Sequence, residues 1–161
     1  MNNNPSAGNK AGGLTTVLEK SLGGIAKAGT TSLMEVYEYA EPVTAKGVVF
    51  MDTPGYDPMA VTGQIAGGAN LVCFTTGRGS AFGSKPTPCL KIATNNTLWR
   101  RQQDDMDVNC GTIVEGEETI EQAGERIYQR LIEMASGART RSEELGYGSQ
   151  EFVPWIMNAI M

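Results

Sequence analysis

Gly47-Val-Val-Phe-Met51, Asp57-Pro58 and the residues to Ala66, and Asn70-Leu-Val-Cys-Phe-Thr-Thr-Gly-Arg-Gly79 form one stretch whose order sets the expected fold. Val48 to Met51 and Leu71 to Phe74 are apolar runs, too short for helices and long enough for strands buried on both faces. Between them, Asp57 as N-cap and Pro58 at the first helical position start a helix that Gly67 and Gly68 end. Strand, helix, strand in this compass reads as a parallel βαβ unit at residues 47–75, closed by a right-handed crossover.

The expected class is therefore α/β: a three-layer, Rossmann-like, mostly parallel sheet in a single domain. In open sheets of this kind ligands bind beyond the carboxyl ends of the strands. Asp52 and Asp57 leave one strand there, and Thr76, Gly77, Arg78 and Gly79 leave its neighbour, so these residues are expected together. Two glycines free the backbone for close approach, and the arginine between them carries a permanent cation with a fork of donors. The motif reads either as an anion cradle or as a polar turn with a solvated arginine. A nucleotide phosphate loop needs a helix opening directly after the glycines, and residues 77–87 hold none, which disfavours that ligand.

Working outward, Leu14 to Ile25 has a helical apolar stripe, with Thr16 and Glu19 at capping-box spacing and Lys20 beside them. Residues 31–39 alternate as a half-buried strand near a sheet edge. Pro88 to Ala93 is another apolar strand, interrupted by Lys91. That lysine is either an edge residue reaching outward, the commoner arrangement, or a buried cation aimed at a site. Asn95 and its neighbours suit the cap of a short helix, and Asp104, Asp105 and Asp107 read as a solvated turn without calcium-loop spacing. Glu117 to Ser136 is the clearest helix, with Ile120, Ala123, Ile127, Leu131, Met134 and Ala135 as its buried stripe. Residues 138–161 read as a linker and a docking tail, the apolar run starting at Phe152.

The 161 residues carry a net charge of −5 and no basic run, so a nucleic-acid surface is not expected. No apolar segment approaches the roughly 20 residues of a membrane helix. The odd set Cys73, Cys89 and Cys110 has no metal-type spacing, and a reduced, cytoplasmic setting fits it. Histidine is absent, which removes a histidine base, a histidine metal ligand and any Ser-His or Cys-His nucleophile built from this chain alone. Residues 1–13 read as loop, and an opening of that kind suggests a chain cut from a longer one at a domain boundary.

Six motifs occur in one order: Asn4-Pro5 with Gly8-Asn9; Glu19-Lys20-Ser21 with Gly23; Asp52-Thr-Pro-Gly55 with Asp57; Thr75-Thr-Gly-Arg-Gly79; Lys91-Ile-Ala-Thr94; and Asp107-Val-Asn109 with Gly111-Thr-Ile113. Together they resemble the C-terminal region of the altronate and galactarate dehydratase family, from Asn4 through the helix at Glu117. Cys110 stands where that family is expected to carry alanine. The resemblance implies dehydration of a sugar acid to a 2-keto-3-deoxy acid with a divalent metal, Fe²⁺ or Mn²⁺. It implies Arg78, with Thr76, Gly77 and Gly79, as the carboxylate anchor, and Asp52 with Glu19 as metal ligands. Lys20 or Lys91 would then serve as base or charge stabiliser. The remaining N-terminal domains of a parent enzyme, or another subunit of a homo-oligomer, are expected to complete the site. The alternative is a non-catalytic module that binds a sugar acid or other anion, or supports assembly.

Overall fold

The computed structural model describes residues 4–152. Its opening segment is not all loop. Ser6 caps a short helix α1 (Ala7–Ala11) in a reciprocal box with Asn9. Helix α2 (Val17–Ala26) starts as its sequence suggests, with Thr16 and Glu19 in a capping box, but buries none of its residues. Strands β1 (Leu33–Tyr37) and β2 (Val48–Met51) then pair in parallel as a two-stranded sheet.

Helix α3 (Asp57–Ala66) follows β2, with Tyr56 at the N-cap position and Asp57 already in the first turn. It leads not to a neighbour of β2 but to a second sheet, built of β3 (Val72–Thr76), β4 (Cys89–Ala93) and β5 (Val108–Asn109) in the order β3-β4-β5. The βαβ unit expected at residues 47–75 is therefore not formed as one sheet. The ladder of β2 goes to β1, and that of β3 to β4, so α3 passes between sheets. A genuine βαβ unit lies later, where helix α4 (Asn96–Arg101), capped by the Asn95 side chain, joins β4 to its parallel neighbour β5. The fold is α/β with parallel pairing throughout, as expected, with its strands divided between two sheets.

This division moves the buried strand. All five residues of β4 are buried, because it has a neighbour on each side. In β3, an edge strand, only Val72 is buried, and Cys73 is exposed rather than part of the core. Alternation along β4 splits the packing between its two faces. Cys89 packs with Val61 of α3, Val72 and Phe82, and Ala93 with Leu98 of α4 and Met106. Leu90 and Ile92 pack with Val108 and Met134. After the short helix α5 (Gly111–Val114), helix α6 (Ile120–Ala135) supplies Met134, Ile127 and Leu131 to that last cluster. The two ends of its expected stripe, Ile120 and Ala135, are exposed. Helix α7 (Arg141–Glu144) closes the described chain, and the tail beyond Phe152 falls outside the described residues.

Candidate active site

Beyond the carboxyl end of β3 the chain turns sharply. The Thr76 hydroxyl accepts the Gly79 amide at 3.0 Å, which closes the turn around Arg78. Gly79 sits at φ +106°, and a Cβ there would lie 1.8 Å from Oε1 of Gln102, so conformation and space both require glycine. The turn's carbonyls are held by the segment after β4. The Thr76 carbonyl accepts from the Thr94 amide at 3.1 Å and hydroxyl at 3.2 Å, and the Gly77 carbonyl from the Asn95 side chain at 3.0 Å. The Arg101 guanidinium takes the Arg78 carbonyl. With its backbone tethered, the Arg78 side chain reaches the opening segment, where a Cβ on Gly8 would come 2.6 Å from its Nη2.

Lys20, on α2, reaches the same segment: its ammonium donates to Asn4 Oδ1 at 2.9 Å. Residues 4–8 therefore gather two cations from distant parts of the chain. Lys20, Arg78 and Gly77 are exposed, and Thr76 and Gly79 half-buried, so the turn faces solvent.

Lys91 is different. It lies on the central strand at 0 % exposure, the rarer of its two expected arrangements. Its ammonium donates to the Ser80 carbonyl at 3.3 Å, beneath the same loop. Burial pushes its pKa down, and the nearby Asp105 and Asp107 carboxylates oppose that shift. Asp107 is no solvated turn residue. One carboxylate oxygen accepts the Lys91 amide and the other the Arg141 amide, both at 2.8 Å. Acidic composition gave no sign of that role, since the partners lie 16 and 34 residues away.

The loop of residues 77–88 is braced from the far end of the chain. The Ser142 hydroxyl donates to the Phe82 carbonyl at 3.3 Å, and the Lys85 amide donates to the Gly148 carbonyl at 2.8 Å. Thr140, which caps α7, and Ser142 are fully buried. Two buried side-chain oxygens in this neighbourhood, Gln102 Oε1 and Ser84 Oγ, have no hydrogen-bond partner.

The two expected metal ligands lie on different elements, Asp52 after β2 and Glu19 in α2. Asp52 is exposed at the end of β2, and the shared sheet edge that would set it and Asp57 beside Thr76 does not exist. Glu19 spends one carboxylate oxygen on the Thr15 amide and hydroxyl and the Thr16 amide, which hold its pKa below the usual range. Among the described residues no group of three or more His, Cys, Asp or Glu side chains is placed to hold a metal ion. These residues alone do not fit a metal centre. A cleft of about 540 Å³ opens between Asn109 and α6. Its one arginine, Arg126, is already closed onto Glu118 through Nε at 3.0 Å and Nη2 at 2.6 Å.

The sequence model of the family described as D-galactarate/Altronate dehydratase, C-terminal, matches residues 1–160. The chain belongs to this family. It is 43 % identical over 148 residues to the galactarate dehydratase (L-threo-forming) of Escherichia coli K12, covering 91 % of this chain and 28 % of that protein. It is 38 % identical over 141 residues to the altronate dehydratase of Bacillus subtilis 168, covering 88 % and 28 %. The chain is also 34 % identical over 150 residues to the (2R)-sulfolactate sulfo-lyase subunit beta of Chromohalobacter salexigens, covering 92 % of this chain and 38 % of that protein. The chain thus spans little more than a quarter of the length of the dehydratases it matches. Among the described residues no helix is long and apolar enough to cross a membrane.

Proposed function

We propose that this chain is the C-terminal part of a hydro-lyase that dehydrates a sugar acid of the altronate or galactarate type to a 2-keto-3-deoxy acid. The observation that carries the reading is the gathering of Arg78 and Lys20 on residues 4–8, beside a turn whose Thr76, Gly77 and Arg78 carbonyls are tied back. A carboxylate is the anion that suits a planar, forked donor such as Arg78. The relatives' names favour the same group. Galactarate, altronate and sulfolactate are all 2-hydroxycarboxylates, whereas the leaving groups of a dehydratase and a sulfo-lyase differ. A region common to both enzymes suits the shared end of the substrate.

The reaction removes the proton α to the carboxylate, places negative charge on the carboxylate oxygens, and expels the β-hydroxyl, which takes up a proton to leave as water; the resulting enol tautomerises to the 2-keto-3-deoxy acid. Arg78 and Lys20 meet the developing charge. Of the two lysines, Lys91 suits proton abstraction, because burial favours its neutral form. It takes that role when the Ser80 carbonyl gives way, since in this arrangement its amine is sealed from solvent. A divalent metal, Fe²⁺ or Mn²⁺, would supply Lewis-acid chemistry and would draw most of its ligands from outside this chain, with Asp52 or Glu19 contributing at most singly. The isolated chain is then an anion-binding module without turnover.

The deciding assay is dehydration of altronate and galactarate by the longer protein with added Fe²⁺ or Mn²⁺. Arg78→Ala is expected to raise KM at least tenfold and to slow turnover, with Arg78→Lys between it and wild type. Unchanged KM and kcat in both variants would remove the turn from the site. Turnover by residues 1–161 alone would overturn the view that the site is shared.

A further inference from the structure

The sheet of β3, β4 and β5 is packed on both faces, but the sheet of β1 and β2 is packed on one. On the inner side Tyr37 is buried, its hydroxyl accepting the Thr44 and Ala45 amides, and Met51 lies against Gly67 at the end of α3. On the outer side Leu33 stands opposite Val48 and Val36 opposite Phe50. Val48 and Phe50 are two residues apart on β2 and share a face, and a register shift between Leu33 and Glu35 brings Leu33 as well as Val36 opposite them. The exposures of Leu33, Val48, Val36 and Phe50 are 56 %, 37 %, 56 % and 56 %. Parallel strands are ordinarily covered on both faces, and a bare apolar face on a parallel pair lacks its packing layer. Helix α2 has the same deficit, with Val17, Leu18, Leu22 and Ile25 all exposed. Clustered exposed apolar residues of this kind mark an interaction surface.

We propose that the outer face of the β1–β2 sheet, with the apolar stripe of α2, is the seat of the region that precedes this part of the family in its longer members. Two facts select that occupant. The family match is to a C-terminal part, and the dehydratases it resembles carry most of their length outside the matched portion. Both apolar elements also lie in the first third of the chain, the part nearest in sequence to a preceding region. The proposal rests on family membership and not on the reaction.

Hydroxyl-radical footprinting of the longer protein, read by mass spectrometry, tests it. Tyr128, 56 % exposed on α6, is the internal reference. After correction for intrinsic reactivity, Phe50 is expected to label at least fivefold more slowly than Tyr128 at concentrations where the protein is monomeric. Equal labelling of the two would overturn the proposal. Protection of Phe50 that disappears on dilution of a dimer would also overturn it, by assigning the face to a second copy. In the longer protein carrying Val36→Lys and Phe50→Lys, limited proteolysis between the preceding region and this one is expected to accelerate at least tenfold. An unchanged cleavage rate counts against the proposal.

Discussion

The Lys91 ammonium donates to the Ser80 carbonyl from the middle of the central strand, so a fully buried charge lies beneath the loop that carries Arg78. Its pKa is lowered by burial. The unfolded chain therefore binds the proton more tightly than the folded one below the ordinary lysine value of about 10.4. Stability is expected to rise with pH between the lowered folded value and about 10.4. Lys91→Met should flatten that rise and stabilise the fold near neutrality by about 1 kcal/mol, since an apolar chain replaces a buried ion. The same substitution should abolish dehydration by the longer protein. Urea unfolding across the alkaline range checks the first part, and equal pH slopes in both proteins would refute it.

Gly79→Ala should cost about 1–3 kcal/mol, because alanine is strained at positive φ and its methyl would collide with Gln102. Gly77→Ala should be milder, since its Cβ would meet the Thr94 hydroxyl at 3.3 Å. Thermal unfolding of the two variants, side by side, measures the difference. The turn should also lose its grip on substrate in Gly79→Ala, read as a raised KM in the longer protein.

Asp107→Ala leaves two backbone amides, those of Lys91 and Arg141, without their acceptor. The expected loss is about 2–4 kcal/mol, larger than an exposed carboxylate would give. Asp107→Asn keeps one acceptor oxygen and should fall between. Denaturant midpoints for the three proteins decide this, and a loss below half a kcal/mol in Asp107→Ala would mean the two contacts are not formed in solution.

The hydrogen bonds from Arg126 and Thr112 hold Glu118 below the usual glutamate range. A carboxylate with a depressed folded pKa contributes stability above its unfolded value, near 4.5, and loses it as pH falls through the lower folded value. Glu118→Gln should remove that acid step, seen as a shallower fall in stability between about pH 4.5 and the onset of acid unfolding. Circular dichroism through an acid titration reads both curves.

Local chemistry was legible where it is local. Thr16 with Glu19, Asn95, and the glycines after α3 set the ends of their helices as their residue types suggest. Apolar runs located β2, β3 and β4, but run content does not say which strand takes which partner. The helix between β2 and β3 looked like a crossover because nothing in its sequence reveals that each flanking strand pairs elsewhere. Cys73 is exposed, and Lys91 takes the less common of its two expected arrangements, for one reason: which strand is central follows from pairing, and pairing is a long-range choice. At the site, Thr76 to Gly79 stood out through glycine and arginine. Asn95, Arg101 and Asp107 act through contacts that only the folded chain creates. Glu19 was read both as a cap and as a ligand, and the structure shows its oxygen engaged in the cap.

The brace on the 77–88 loop has a consequence for synthesis. Phe82 is held by Ser142, 60 residues later, and Lys85 by Gly148. While the ribosome is still making α6, the strands beneath the Arg78 turn can already pair, yet the loop above Lys91 lacks its support. The later part of that loop is thus braced by nearly the last described residues to emerge, and a nascent chain stopped before Thr140 carries its sheets and the Arg78 turn without that brace.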